Sequence, residues 1–196
     1  MSITTLFLVV IAVFLIYAIS TYNFLASIRT RIQAAVQEIG NQLKRQAELI
    51  PNLEESAKGY LKHEKDIFKM LTDARKAVIS AVDSGNLDQM ASAGEKVAQL
   101  LPRIQVIVES NPQIQGTAVI TRLMDELRDT SDKVMYARRT LIDLTADYNI
   151  KLVTFPSNLV AQIFGFKPEK GLTTPTSGAF LEVSADETKP AKVKLS

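Results

Sequence analysis

The first 28 residues, MSITTLFLVVIAVFLIYAISTYNFLASI, carry no charged side chain, and Arg29 is the first charge in the chain. No other feature narrows the possible folds as much. Ile3 to Ser20 are dominated by Leu, Val, Ile, Phe and Ala, and as a helix rising about 1.5 Å per residue they span roughly 27 Å, close to the hydrocarbon thickness of a bilayer. The run has no polar stripe, which separates it from the core helix of a soluble domain. Tyr17 and Tyr22 stand near its far end, where amphipathic rings favour the headgroup region. A cleavable signal sequence is the competing reading, since Ala18 to Ser20 offers small residues at a plausible cleavage spacing. However, no basic residue precedes the run, and it exceeds the about 7–15 residues of a signal core. A retained single-pass transmembrane anchor over residues 1–24 is therefore expected. Arg29 and Arg31 follow it while no Lys or Arg precedes it, a bias that predicts the remainder on the cytoplasmic side.

Beyond the anchor the pattern is helical throughout. Leu25, Ile28, Ile32, Val36, Ile39, Leu43, Ala47 and Ile50 recur in an eleven-residue apolar rhythm that keeps one stripe on a nearly straight helix. Ile50, Leu53, Ala57, Tyr60, Glu64, Ile67, Leu71, Ala74, Val78 and Ala81 then alternate steps of three and four, the spacing of a coiled coil, with Glu64 alone breaking the seam. DSGN, Asp83 to Asn86, is a turn signal. Met90, Ala93, Val97, Leu100, Ile104 and Ile107 form a third stripe, in which Pro102 predicts a kink. Ser110 to Pro112 ends it, and Ile120, Leu123, Leu127, Thr130, Val134, Ala137, Leu141, Leu144 and Tyr148 make the last and longest seam. No stretch alternates with period two, so the fold class is all-α: an antiparallel four-helix bundle of long helices over residues 25–154, following the transmembrane helix. Short connections at Pro51, DSGN and SNP set the up-down-up-down order; one bent helix through Pro51 is the alternative.

Residues 155–166, FPSNLVAQIFGF, form a short apolar helix in which Pro156 suits the first turn. Its face must be covered, either as a cap on the bundle or by a membrane surface or another subunit. The surplus apolar surface predicts a homo-oligomer. From 167 to 196 Pro, Gly, Thr, Ser, Lys and Glu accumulate without periodicity apart from Ala179 to Val183, and a mostly disordered tail is expected.

Candidate chemistry is sparse. KHEKD, Lys62 to Asp66, has the start of a zinc-peptidase pattern, but Ile67 stands where the second histidine belongs, and His63 is the only histidine in a chain without cysteine. The lysines at 58, 62, 65 and 69 interleave with acids at pair-forming spacings and read as a solvated helix face. With 23 basic and 21 acidic side chains the net charge is +2, too balanced for a phosphate-tracking surface, so no nucleic acid is expected. There is no glycine-rich phosphate loop. No catalytic, cofactor-binding or metal-ligating residue is expected, and no cofactor.

Several strings do match a known pattern. Tyr22 and Asn23, LKRQAELIPNL from Leu43 to Leu53, KGYLKHE from Lys58 to Glu64, and Ala74 with Arg75 are joined by ELRDTSDKVMYARR from Glu126 to Arg139, DYN from Asp147 to Asn149, and FPSNLVAQIFGF. Together they resemble the LemA family over roughly residues 22 to 166. The resemblance implies a bacterial, membrane-anchored antiparallel helical bundle with no established enzymatic activity, which places the anchor in the inner, cytoplasmic membrane. The chain departs from the family where Thr130 to Asp132 replaces a Thr-Glu-Asn string and where Leu141 and Ile142 replace a second Tyr-Asn. Some relatives carry a lipidated cysteine where Ser20 and Thr21 stand here. The function expected is that of a non-enzymatic, membrane-anchored scaffold whose partners are the lipid bilayer, an unidentified protein and further copies of itself. The alternative is an enzyme or metal-binding bundle using interior carboxylates, which would need such groups on facing helices.

Overall fold

The computed structural model describes residues 2–58, 65–110 and 118–172. Among them are five helices and no strand: α1 (Ile3–Ala57), α2 (Lys65–Ser84), α3 (Leu87–Ser110), α4 (Ala118–Val153) and α5 (Ser157–Ile163). α1 is long and apolar enough to cross a membrane. Its most apolar window has a mean hydropathy of 2.7, and none of that window is buried within the protein. The helix then continues unbroken into the bundle, so its 55 residues reach roughly 80 Å.

The four long helices form one ring of antiparallel neighbours. Leu53 and Ala57 share an apolar pocket with Ile67 and Leu71, whereas Lys44 and Glu48 meet Ile79 and Val82, so α2 runs back along α1. Ala81 faces Ala93 and Met70 faces Arg103 across the α2–α3 seam. α4 closes the ring: Gln46 on α1 bonds to Ser131, and Gly94 on α3 abuts Val134. Among the described residues, the seams read from the sequence pack together. Leu25, Ile39, Leu43 and Ile50 on α1, Leu71 and Val78 on α2, Val97 and Ile104 on α3, and Ile120, Leu127, Leu141 and Tyr148 on α4 are all buried in one core.

The position of the first reversal differs from the sequence reading. Helix α1 does not end or fold back at Pro51 but runs through it to Ala57. An interior proline costs about 3 kcal/mol. Leu49, Ile50, Leu53 and Ala57 are buried on one continuous stripe across it, each large side chain contributing about 1.5–3 kcal/mol, and a break at 51 would split that stripe. The residues read as one second helix are thus shared between the end of α1 and α2. Tyr60, Lys62, His63 and Glu64 lie outside the described residues. Helix α3 likewise runs through Pro102.

At the α2–α3 turn Gly85 takes φ 62°, the left-handed conformation that favours glycine. The Asn86 side chain accepts from the backbone N–H groups of Asp88 and Gln89 at 3.0 and 3.1 Å and caps α3. Gly94 lies at a close helix approach: a Cβ there would stand 2.9 Å from Val134 Cγ1 and 3.6 Å from Leu43 Cδ2. Gly94→Leu is expected to overpack this crossing and cost about 1–3 kcal/mol. Thermal unfolding of detergent-solubilised protein would measure it, and Val134→Ala in the same chain should restore part of the loss.

Candidate functional site at the base of the bundle

The helices of the ring are unequal, with 20 residues in α2 and 24 in α3 against 36 in α4. Met90, near the start of α3, packs beside Gly40 of α1. Below that level, toward the apolar end of α1, the α2–α3 hairpin is absent and only α1 and α4 continue. Leu25, Ile28 and Ile32 would face water there, yet all three are buried. The C-terminal segment lies along this stretch beside α4, touching α1 at Tyr22 and Arg29.

That segment leaves α4 at Thr154. Ser157 Oγ lies 2.7 Å from the Lys151 carbonyl oxygen and 2.9 Å from that of Thr154, tying the turn to the end of α4. The sequence placed Pro156 in the first helical turn; the structure places it just before the helix, at the N-cap. Val160 and Ala161 of α5 are buried against the bundle. The helix then stops in a left-handed turn. Gly165 takes φ 71°, and the Phe166 and Gly165 N–H groups donate to the carbonyls of Ala161 and Gln162 at 2.9 and 3.2 Å, the paired bonds that close a helix C-terminus on glycine. The turn sends both flanking rings to one partner. Tyr22 has Phe164 at 4.9 Å and Phe166 at 5.5 Å between ring centroids, both tilted.

From Phe166 the chain climbs the groove between α1 and α4. The Tyr148 hydroxyl donates to the Lys167 carbonyl at 3.0 Å. Asn149 grips Glu169 at both backbone ends: its Nδ2 donates to the Glu169 carbonyl at 2.9 Å, and its Oδ1 accepts from the Glu169 N–H at 3.1 Å. The Glu169 carboxylate pairs with Arg29 Nε at 2.9 Å. Further up, Gly171 lies against Thr145, where a Cβ would come within 3.2 Å of Thr145 Cγ2. Lys170 Nζ reaches Asp88 on α3 at 3.9 Å, and Phe166 and Leu172 pack on the core. Burial pushes the Tyr148 phenol above its ordinary value; the positive charge of Arg29 acts to lower it and the carboxylate of Glu169 to raise it.

Tyr22, Asp147 to Asn149 and Phe155 to Phe166, three of the strings that carry the resemblance, therefore converge on one collar where the apolar run of α1 ends. A second convergence lies midway up the bundle. Arg45 pairs with Glu126 at 3.5 Å, and Gln46, fully buried, donates to Ser131 Oγ at 3.0 Å. Ser131 belongs to the TSD departure from the family pattern, so that position is an interior hydrogen-bond acceptor. At the other departure Leu141 is buried in the core and Ile142 is exposed. The sequence reading missed residues 167–172 as part of the site. Gly165 was the available signal, because a glycine just past a short apolar helix marks a reversal that brings the following chain back.

In chemical terms the collar is a clasp. Among the described residues no Asp or Glu is buried, and no group of three or more His, Cys, Asp or Glu is placed to hold a metal ion. The enclosed apolar pocket at the far end, lined by Leu53, Ala57, Ile67, Ile104 and Ile120, has a volume of about 10 Å³, the space of roughly one water. It is a packing void.

The LemA family model matches residues 35–184. Among curated proteins the chain is similar to the magnetosome protein MamQ of Magnetospirillum gryphiswaldense, with 24% identity over 169 residues that cover 74% of this chain and 62% of that protein. The chain thus spans less than two thirds of the length of that relative.

Proposed function

The chain belongs to the LemA family, and from that premise we propose that it is a non-enzymatic scaffold, anchored by residues 3–20 in the bacterial cytoplasmic membrane, that presents its bundle to a protein partner and to further copies of itself. One observation carries the reading. The exposed apolar run and the buried seam from Leu25 to Ala57 belong to the same uninterrupted helix. A bundle whose first core helix is the anchor is held at a fixed height and angle, without the flexible linker that would separate a tethered catalytic domain from its membrane. The similarity to a magnetosome protein accords with a membrane setting.

The bundle wall offers a surface suited to protein contact. On α4, Met135 and Tyr136 point outward, Tyr136 with 74% of its surface exposed, beside exposed Arg139. Tyr and Arg are the side chains that most often dominate protein interfaces. A photoactivatable side chain at Tyr136, irradiated in intact membranes, is expected to yield a discrete adduct. Mass analysis then distinguishes a second copy from a different protein, and lack of any adduct counts against this wall as the contact.

Sidedness follows from Arg29 and Arg31 after the uncharged run. The native chain has no cysteine, so Lys69→Cys, on the exposed face of α2, introduces a single thiol. It should resist a membrane-impermeant maleimide in intact cells and react after lysis. Reaction before lysis would place the bundle on the outer side.

A further inference from the structure

The collar leaves one apolar face uncovered. While Val160 and Ala161 of α5 are buried, Val153 is 74% exposed, Phe155 80%, Ile163 72% and Phe164 54%. The height of this face is fixed by direct contacts. Phe164 packs at a tilt against Tyr22, two residues beyond Ser20, and Lys151 Nζ sits 5.5 Å from the Phe24 ring centroid. α4 descends antiparallel to α1, so Val153 and Phe155, beyond Lys151, lie lower still, level with the end of the apolar run. Charge agrees with this placement. From Tyr148 to Phe166 there is no acidic residue, and the single charge is Lys151.

We propose that this face is a second membrane contact: Val153, Phe155, Ile163 and Phe164 insert into the boundary between headgroups and acyl chains, so that α5 lies on the bilayer beside the emerging anchor. The proposal rests on the anchor reading. An apolar face rimmed by lysine at the level where a spanning helix exits meets lipid as soon as the anchor inserts, without further association cost. Apolar faces of this kind settle about 5–10 Å into the interface. Two contacts then fix what one helix leaves free, namely rotation of the bundle about the axis of α1 and its tilt. The clasp of Tyr148 and Asn149 on Lys167 and Glu169 holds α5 in that position from above.

The chain contains no tryptophan, so single tryptophans report depth without background. Full-length protein carrying Ile163→Trp or Phe155→Trp, both at exposed positions, is reconstituted into phosphatidylcholine and phosphatidylglycerol vesicles with acyl chains brominated near either the carbonyl or the methyl end. Leu8→Trp marks the spanning run and Val106→Trp the exposed wall of α3. Both collar tryptophans are expected to lose roughly half their emission to the shallow bromines, the depth of interfacial insertion, and much less to the deep ones, while Val106→Trp is unaffected. If Leu8→Trp is quenched and the collar tryptophans stay as bright as Val106→Trp, the face does not touch lipid and the proposal falls, with the anchor intact. A blue-shifted but unquenched collar tryptophan would assign the face to a second copy and equally overturn it. If Leu8→Trp itself is unquenched, the anchor reading fails first.

Discussion

Tyr148→Ala is expected to cost about 3–5 kcal/mol, the usual range for deleting a buried aromatic ring. Tyr148 is fully buried, and its hydroxyl ties α4 to the returning C-terminal segment. Deleting the ring opens a cavity beneath that segment and leaves the Lys167 carbonyl without its donor. Unfolding by denaturant would give the loss, and hydrogen exchange should show Val160 and Ala161 losing protection before the α2–α3 hairpin does. Tyr148→Phe keeps the ring and removes only the hydrogen bond, at about 1 kcal/mol. Equal losses in the two variants would mean that the ring is not a core element. The pH dependence has a definite sign. Because burial raises the phenol's folded-state value above its ordinary value near 10, the neutral form is favoured on folding. The stability this contributes is complete below the unfolded value and is lost as pH rises toward the folded one. Tyr148→Phe should therefore flatten the alkaline limb of the stability profile above about pH 10.

Val10→Arg combined with Val13→Arg should move the protein out of the membrane fraction. Each replacement exchanges an apolar residue for a cation near the middle of the run, and on insertion scales the pair costs about 6–8 kcal/mol, a shift of roughly five orders of magnitude in partition at about 1.4 kcal/mol per tenfold. Both positions are exposed and lie outside the core, so the bundle should keep its helicity and its unfolding temperature. Carbonate extraction followed by fractionation reads the first effect and circular dichroism the second. Retention in the membrane with both arginines present would sink the anchor reading. Loss of helicity in the bundle would show instead that residues 3–20 are part of its fold.

Much of this architecture is visible in the residues alone. The seams at steps of three and four name most of the large buried side chains of the four long helices, because a side chain's angle around a helix depends only on its place in the chain; Leu49, Leu101 and Met124, buried beside the seams, they miss. The uncharged run names the candidate spanning segment for an equally local reason: whether 18 residues can lie in hydrocarbon is a sum over their own side chains. Leu43, Val78, Val97 and Leu141 were legible as core before any contact was known. Pro51 misled because its local preference for a helix start competes with burial on both sides of it, and burial is decided by neighbours distant in sequence.

The same division governs the collar. Tyr148, Asn149 and the FPSNLVAQIFGF string were conspicuous, but their purpose was hidden, since it depends on α2 and α3 being too short to reach the base. Residues 167–172 have the composition of a loose tail and no periodicity of their own. They are ordered because the groove between α1 and α4 supplies the Tyr148 hydroxyl and the Asn149 amide at the right heights. Sequence alone therefore determined which surfaces are apolar and along which helices they run, quantities set within one turn of chain. Only the tertiary structure decided which of those surfaces meet, where the first reversal falls, and which face of α5 is left uncovered, because each depends on contacts between residues far apart in the chain, as between Gln46 and Ser131 or Arg29 and Glu169.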